Sequence, residues 1–215
     1  MYATSYSLRK DCSNMSFVGI HNTNEGLIAF ADSKATIQYN NGFETEDIKR
    51  GNIKKVFKNN RFIFVTYGNN ELFSSIHKTS IEDYIESKLI ADISYIEFFS
   101  SMHEDIKGDV AEYNDGIYNF IIGSIDENND YYVQKVQIDA RNDAPKFSNK
   151  DYSKKCHFAG NDKYVEIFQK IPIYKDYPIE KGTKILKQQI SKLVELFDLD
   201  AKYNPVGTPI NTLNF

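Results

Sequence analysis

The hydrophobic pattern of this chain changes period several times, and the changes divide it into blocks of strands and blocks of helices. Ser16 to Ile20 is rich in β-formers and runs into the turn cluster H-N-T-N-E-G, His21 to Gly26. Leu27 to Ala31 is a continuous apolar run of strand length, the pattern of a strand buried on both faces. Gln38 to Asp47, rich in Asn, Gly and Glu, reads as a loop. Asn52 to Phe57 and Phe62 to Tyr67 read as two further strands, with K-N-N-R (Lys58 to Arg61) as the hairpin turn between them.

From Asn70 to about Ile90, Leu72, Ile76, Ile81, Tyr84, Ile85 and Leu89 recur at helical spacing. Ile96, Phe99, Met102 and Ile106 form a second amphipathic face, with Asp92 and Ser94 as N-cap candidates. Strands return at Ile117 to Ile125 and Tyr131 to Ile138 around a D-E-N-N-D turn. Asn142 to Asp151 reads as loop, and Cys156 to Ala159 as a short strand. Asp162 is placed to cap a helix through Phe168. A longer amphipathic helix runs from Ile179 to Phe197, and a strand-like Thr208 to Leu213 closes the chain. Strands, two helices, strands, two helices and a strand predict an α+β fold with layered sheets and outer helices rather than alternating βαβ units. Met1 to Asn14, polar and without clear period, reads as an N-terminal extension, and residues 15–215 read as a single domain.

Composition narrows the function. The chain of 215 residues carries a formal charge of -4, with Lys and Asp interspersed, which argues against a nucleic-acid partner. Its two cysteines, Cys12 and Cys156, make no disulfide framework and read as reduced thiols. The four histidines, His21, His77, His103 and His157, show no metal-ligand spacing, so neither metal nor cofactor is expected. No apolar run approaches the ~20 residues of a membrane span, and a cytoplasmic protein without a membrane partner is the expectation.

The candidate chemistry lies between Met15 and Gly68. It reads M-S-F-V-G-I, then E-G-L-I-A-F-A-D-S-K-A-T, then G-N-I-K-K-V-F, then F-I-F-V-T-Y-G. This order resembles the start of a proteasome β-type or bacterial proteasome-like peptidase, in the N-terminal-nucleophile (Ntn) hydrolase superfamily. The resemblance implies a four-layer αββα sandwich and peptide-bond hydrolysis of the threonine/serine type. It also implies assembly into a ring of identical or related subunits, with an ATP-dependent unfoldase as partner. It carries Asp32 in A-D-S-K-A-T and Lys55 in G-N-I-K-K-V over as activating residues, and Gly68 in V-T-Y-G-N-N as an oxyanion-hole residue. In such a site a hydroxyl at a new N-terminus attacks, and its own α-amine is the base, with an ordinary pKa near about 8. A Lys ammonium held by a carboxylate favours the neutral amine and the alkoxide, and a backbone N–H stabilises the oxyanion. Asp32 and Lys55 are therefore expected to pair near the N-terminal end of strand Ser16 to Ile20.

The nucleophile position departs from the pattern. Aligning on V-G-I (Val18 to Ile20) puts Met15 there; counting back from Asp32 puts Ser16 there. Cys12 lies too far upstream of the strand. Asn161, in A-G-N-D, stands where the family has a Ser, and Tyr203 and Val206 stand where it has a catalytic Asp and Ser, with Asp198 and Asp200 nearby but out of register. Two functions follow: hydrolysis from Ser16 with a degraded active site, or a non-catalytic ring-forming or partner-binding subunit whose N-terminal segment stays uncleaved. The chain is expected to remain intact between Met15 and Ser16. Tyr95, Phe98, Phe99 and Met102 are expected to supply apolar surface for self-association.

Overall fold

The computed structural model describes residues 16–38, 44–47, 51–73, 78–108, 116–171, 177–200 and 204–215. Its strands form two main antiparallel sheets. The first begins with the hairpin of β1 (Phe17–Asn22) and β2 (Leu27–Ala31). Thr23 closes that hairpin: its hydroxyl accepts the Gly26 amide at 3.1 Å and donates to the Gly26 carbonyl at 2.8 Å. A small ribbon of β3 (Thr36–Gln38) and β4 (Glu44–Glu46) follows. Then come β5 (Val56–Lys58) and β6 (Phe62–Gly68), a second ribbon of β7 (Glu71–Phe73) and β8 (Lys78–Ser80), and helices α1 (Ile81–Lys88) and α2 (Tyr95–Ile106). The second half contributes β9 (Ile117–Ile125), β10 (Tyr131–Asp139), β11 (Lys146–Phe147), β12 (Cys156–Gly160), α3 (Asp162–Gln169), α4 (Ile179–Asp200) and β13 (Asn211–Asn214). One sheet runs β12-β1-β2-β13 and the other β11-β10-β9-β6-β5.

Burial explains this arrangement. Val18, Ile20, Leu27 and Ala29 of the first sheet meet Ile63, Val65, Ile121 and Val133 of the second in one apolar cluster. The outer face of the second sheet packs Phe64, Phe120 and Ile122 against Ile85, Phe98, Phe99 and Met102 of α1 and α2. The outer face of the first packs Phe17, Ile28 and Phe30 against Tyr164, Phe168, Leu186 and Ile190 of α3 and α4. Both β1 and β2 are buried along their whole length, which accounts for the unbroken apolar run of β2. Gly19 belongs to that tight contact: a Cβ there would sit 2.5 Å from the His157 carbonyl oxygen and 2.6 Å from the Phe30 ring.

Three expectations are corrected. The helix read from Asn70 is shorter, since β7 and β8 occupy the first part and α1 begins only after Ser80. Its signal is local: the Ser80 hydroxyl accepts the Asp83 amide at 3.0 Å, a cap that the period of Leu72 and Tyr84 obscures. Asn161, rather than Asp162, holds the N-cap position of α3. Third, Phe98, Phe99 and Met102 offer no association surface, because all three are buried within the chain, where the Phe99 and Phe120 rings lie 4.7 Å apart. The Ile76 and His77 readings lie outside the described residues.

Candidate functional site

Asp32 follows β2 directly and continues the ladder with β1, its N–H donating to the Phe17 carbonyl at 3.0 Å. Lys55 precedes β5, and the Thr66 amide of β6 donates to its carbonyl at 3.0 Å. The two strands that carry these residues lie in different sheets, and their side chains meet in the interior. Lys55 Nζ reaches Asp32 Oδ1 at 3.0 Å, with both side chains about fully buried, at 1% and 0% exposure. The same Oδ1 accepts the Phe17 N–H at 2.9 Å, and Oδ2 accepts the Lys34 N–H at 3.1 Å. Lys55 Nζ donates a second bond to the Lys34 carbonyl at 2.9 Å. Burial is the largest influence on Asp32 and pushes its carboxyl above the usual range; the Lys55 charge and the Phe17 and Lys34 hydrogen bonds act in the opposite direction.

Ser16 immediately precedes Phe17, whose amide shares Asp32 Oδ1 with Lys55. It is 3% exposed, and its carbonyl accepts the Asn161 N–H at 2.6 Å. Gly160 makes that contact possible. It has φ +112°, and a Cβ on it would lie 1.7 Å from the Ser16 carbonyl oxygen. Gly68 ends β6 with φ +92°, two residues beyond Thr66, which is about 7 Å along a strand. The structure thus brings Asp32 and Lys55 into contact, with Ser16 one residue from the pair and Gly68 on the neighbouring strand. Val206 is fully buried in the apolar cluster under α3 and α4, where it has no acid–base chemistry to offer. Met15, Cys12 and Tyr203 lie outside the described residues.

Sequence reasoning missed Lys34 and Asn204. Lys34 uses its amide on Asp32, its carbonyl on Lys55, and its Nζ on the Asn204 carbonyl at 2.7 Å. Asn204 in turn accepts from the Tyr164 hydroxyl at 2.9 Å and donates to Asp198 at 2.9 Å. The available signal is the D-S-K spacing, since an Asp that accepts the amide two residues on forms an Asx turn. Asn204 leaves no such trace, being 170 residues from Lys34.

Away from this site, His21 and His157 lie on adjacent strands. Burial lowers the His21 pKa, and it lowers that of His157 to about 4 against the pull of Asp151. Burial pushes the Cys156 thiol well up, which leaves it a poor nucleophile. Among the described residues no group of His, Cys, Asp and Glu is placed to hold a metal ion, and no helix is long and apolar enough to cross a membrane.

Antiparallel sheets packed face to face, with a buried Asp–Lys pair at the head of β1, make a mixed α/β fold. The fold resembles that of Anbu (ancestral beta-subunit) from Yersinia bercovieri, with a TM-score of 0.55 at 10% identity, covering 93% of this chain and 80% of that one. An Anbu (Gly-1) mutant from Hyphomicrobium sp. strain MC1 matches with a TM-score of 0.48 at 12% identity, covering 93% of this chain and 81% of that one. No protein-family model and no curated protein matches the sequence. These findings correct the resemblance to a proteasome β-type or bacterial proteasome-like peptidase: the structural neighbours are Anbu proteins, a distinct proteasome-like family. The reason is physical. A-D-S-K and I-K-K-V record a strand-end carboxylate and a buried lysine that satisfy each other in this chain, and two short strings of that kind do not single out one family.

Proposed function

We propose that this chain is a proteasome-like subunit whose intact form is non-catalytic and serves in binding or assembly. The observation that supports this reading is the position of Ser16 directly before β1, with Met15 ahead of it in the sequence. The Ser16 carbonyl is held by Asn161 N–H against Gly160, and the next amide is bonded to Asp32. In that state the Ser16 nitrogen is a peptide amide and cannot act as a base. Lys55 directs hydrogen bonds to Asp32 and to the Lys34 carbonyl, which suits a buried structural pair.

The three apolar clusters support a four-layer αββα sandwich as the architecture of this subunit. Self-association, with identical or related subunits, draws support from the likeness of the fold to Anbu, an ancestral beta-subunit, and from Leu196 and Leu199 on α4, which are 60% and 88% exposed. The cytoplasm is the proposed compartment.

A second reading is favoured by one specific observation, the placement of Ser16 next to a buried Asp–Lys pair. Cleavage between Met15 and Ser16 would free an α-amine to take the Ser16 hydroxyl proton, leaving the oxygen to attack a peptide carbonyl. Gly68 N–H is the candidate oxyanion donor. The test is to incubate the intact chain, and a chain produced to begin at Ser16, with a mixed library of peptide amides and follow cleavage by mass spectrometry. The intact chain is expected to be silent. Cleavage by the intact chain that disappears in Ser16→Ala overturns the proposal.

A further inference from the structure

Helix α4 carries its charges in an order that works against the helix itself. Residues 179–192 hold Lys181, Lys184, Lys187 and Lys192 against Glu180 alone, whereas residues 193–200 hold Glu195, Asp198 and Asp200 and no base. The N-terminal end of a helix favours negative charge and the C-terminal end positive charge, so this order is the less stable one for α4 standing alone. We propose that α4 is covered by the α4 of a second copy of this chain, laid antiparallel across it. The proposal rests on the self-association reading and names the face and the direction of the contact.

Three observations carry it. First, the order of charge reverses along the helix, so an antiparallel copy sets base against acid and a parallel copy sets like on like. Lys184 and Glu195 stand equally far from the middle of α4, so each faces the other in the partner, and two-fold symmetry makes the contact twice. Near the middle, Lys187 and Lys192 lie on opposite flanks and do not meet across the contact. Second, the face is continuous and exposed. At 3.6 residues per turn, Lys184, Gln188, Glu195 and Leu199 share it, and all four are exposed. Leu196 lies on one flank with the half-buried Ile185, which falls opposite it in the antiparallel partner. Third, the chain itself leaves these charges unmatched. Among the described residues, Lys184, Lys187, Lys192 and Glu195 form no ion pair. Lys181 lies over the Tyr177 ring at 4.5 Å, and Asp198 accepts the Asn204 side-chain amide at 2.9 Å. Helix α3, which meets α4 where the Tyr164 and Phe197 rings lie 4.6 Å apart, adds no net charge: Glu166 pairs with Lys170 at 2.8 Å, and Asp162 stands beside Lys163. Lys175, Asp176 and Lys202 lie in flanking segments outside the described residues. The 22-residue helix offers a strip about 33 Å long and about 10 Å wide, less than the about 800 Å² per partner of a standard interface, so the contact is a weak one.

The test is sedimentation equilibrium of the whole chain from about 1 μM to about 1 mM, at low and high salt. The wild type is expected to associate with a Kd of roughly tens of micromolar, and more weakly as salt is raised. Lys184→Glu and Glu195→Lys each replace two attractions by two repulsions, and each is expected to weaken association about tenfold or more, with the thermal unfolding midpoint unchanged. The double variant K184E/E195K restores both pairs and is expected to return to within about threefold of the wild type. Leu196→Asp is expected to weaken association about tenfold without touching the charge pairs. Association that both single charge variants leave unchanged, or a double variant as dissociated as the singles, overturns the proposal and leaves self-association to another face. A wild-type chain that stays monomeric throughout the range overturns it together with the self-association reading, and leaves this face to a partner other than a second copy.

Discussion

Lys55→Met removes an ammonium from beside a fully buried carboxylate and leaves the methylene stem in place. Asp32 would keep the Phe17 and Lys34 amides, at 2.9 and 3.1 Å, and lose its charged partner at 3.0 Å. Breaking one side of a buried pair costs about 3–5 kcal/mol in general. Here an upper limit follows from proton uptake. If the unpaired carboxyl cannot ionise in the interior, folding at pH 7 must protonate a group that titrates near 4 in the unfolded chain. That costs about 4 kcal/mol, from three pH units at about 1.4 kcal/mol each. The sign follows from linkage: a carboxyl raised in the fold keeps its full contribution below its unfolded pKa and loses it as pH rises towards the folded pKa. The deficit of Lys55→Met should therefore shrink from about 4 kcal/mol at pH 7 to about 1.5 kcal/mol at pH 5. Urea unfolding of the wild type, Lys55→Met, Asp32→Asn and the double variant at both pH values measures this. The double variant should recover about 2 kcal/mol or more relative to the sum of the singles, because no charge is then stranded. A loss below about 1 kcal/mol in Lys55→Met, or one that is the same at both pH values, refutes the reasoning.

Gly160→Ala places a Cβ 1.7 Å from the Ser16 carbonyl oxygen at φ +112°, so a loss of at least about 2 kcal/mol is expected by thermal unfolding. His157, held neutral with its pKa lowered to about 4, should make the fold acid-labile between pH 6.5 and 4, where only the unfolded chain takes up the proton. Its full effect of about 3 kcal/mol is reduced to about half by solvent screening, and His157→Gln should flatten the pH dependence of the unfolding midpoint. Phe99→Ala removes a ring that is fully buried against Phe98, Phe64 and Phe120, and should cost about 3–5 kcal/mol in the same unfolding assay.

The sequence reveals most where burial is uniform along an element. Leu27–Ala31 is a strand at the limits its apolar run indicates, because it is buried along its whole length between the second sheet and α4. Ser94 is legible for a local reason, since its hydroxyl and the Glu97 side chain form a reciprocal capping box. The ribbons β3–β4 and β7–β8 were not legible. Three-residue strands carry too few positions for a period, and in the second ribbon Leu72 falls by chance on the helical spacing of α1. At the site, Asp32 and Lys55 were singled out by the resemblance of A-D-S-K-A-T and G-N-I-K-K-V; Lys55 was read inside a strand and stands just before β5 instead. The work of Lys34 is hidden because two of its three contacts use backbone groups, which every residue type has.

Whether Ser16 is ever released from its peptide bond is read most directly from the intact mass of the purified chain, taken fresh and after prolonged incubation at neutral and mildly alkaline pH. The expected result is the full 215-residue mass at every time point, unchanged by Ser16→Ala. A mass lacking residues 1–15 that Ser16→Ala abolishes would contradict the non-catalytic reading and make the protein a self-processing hydrolase.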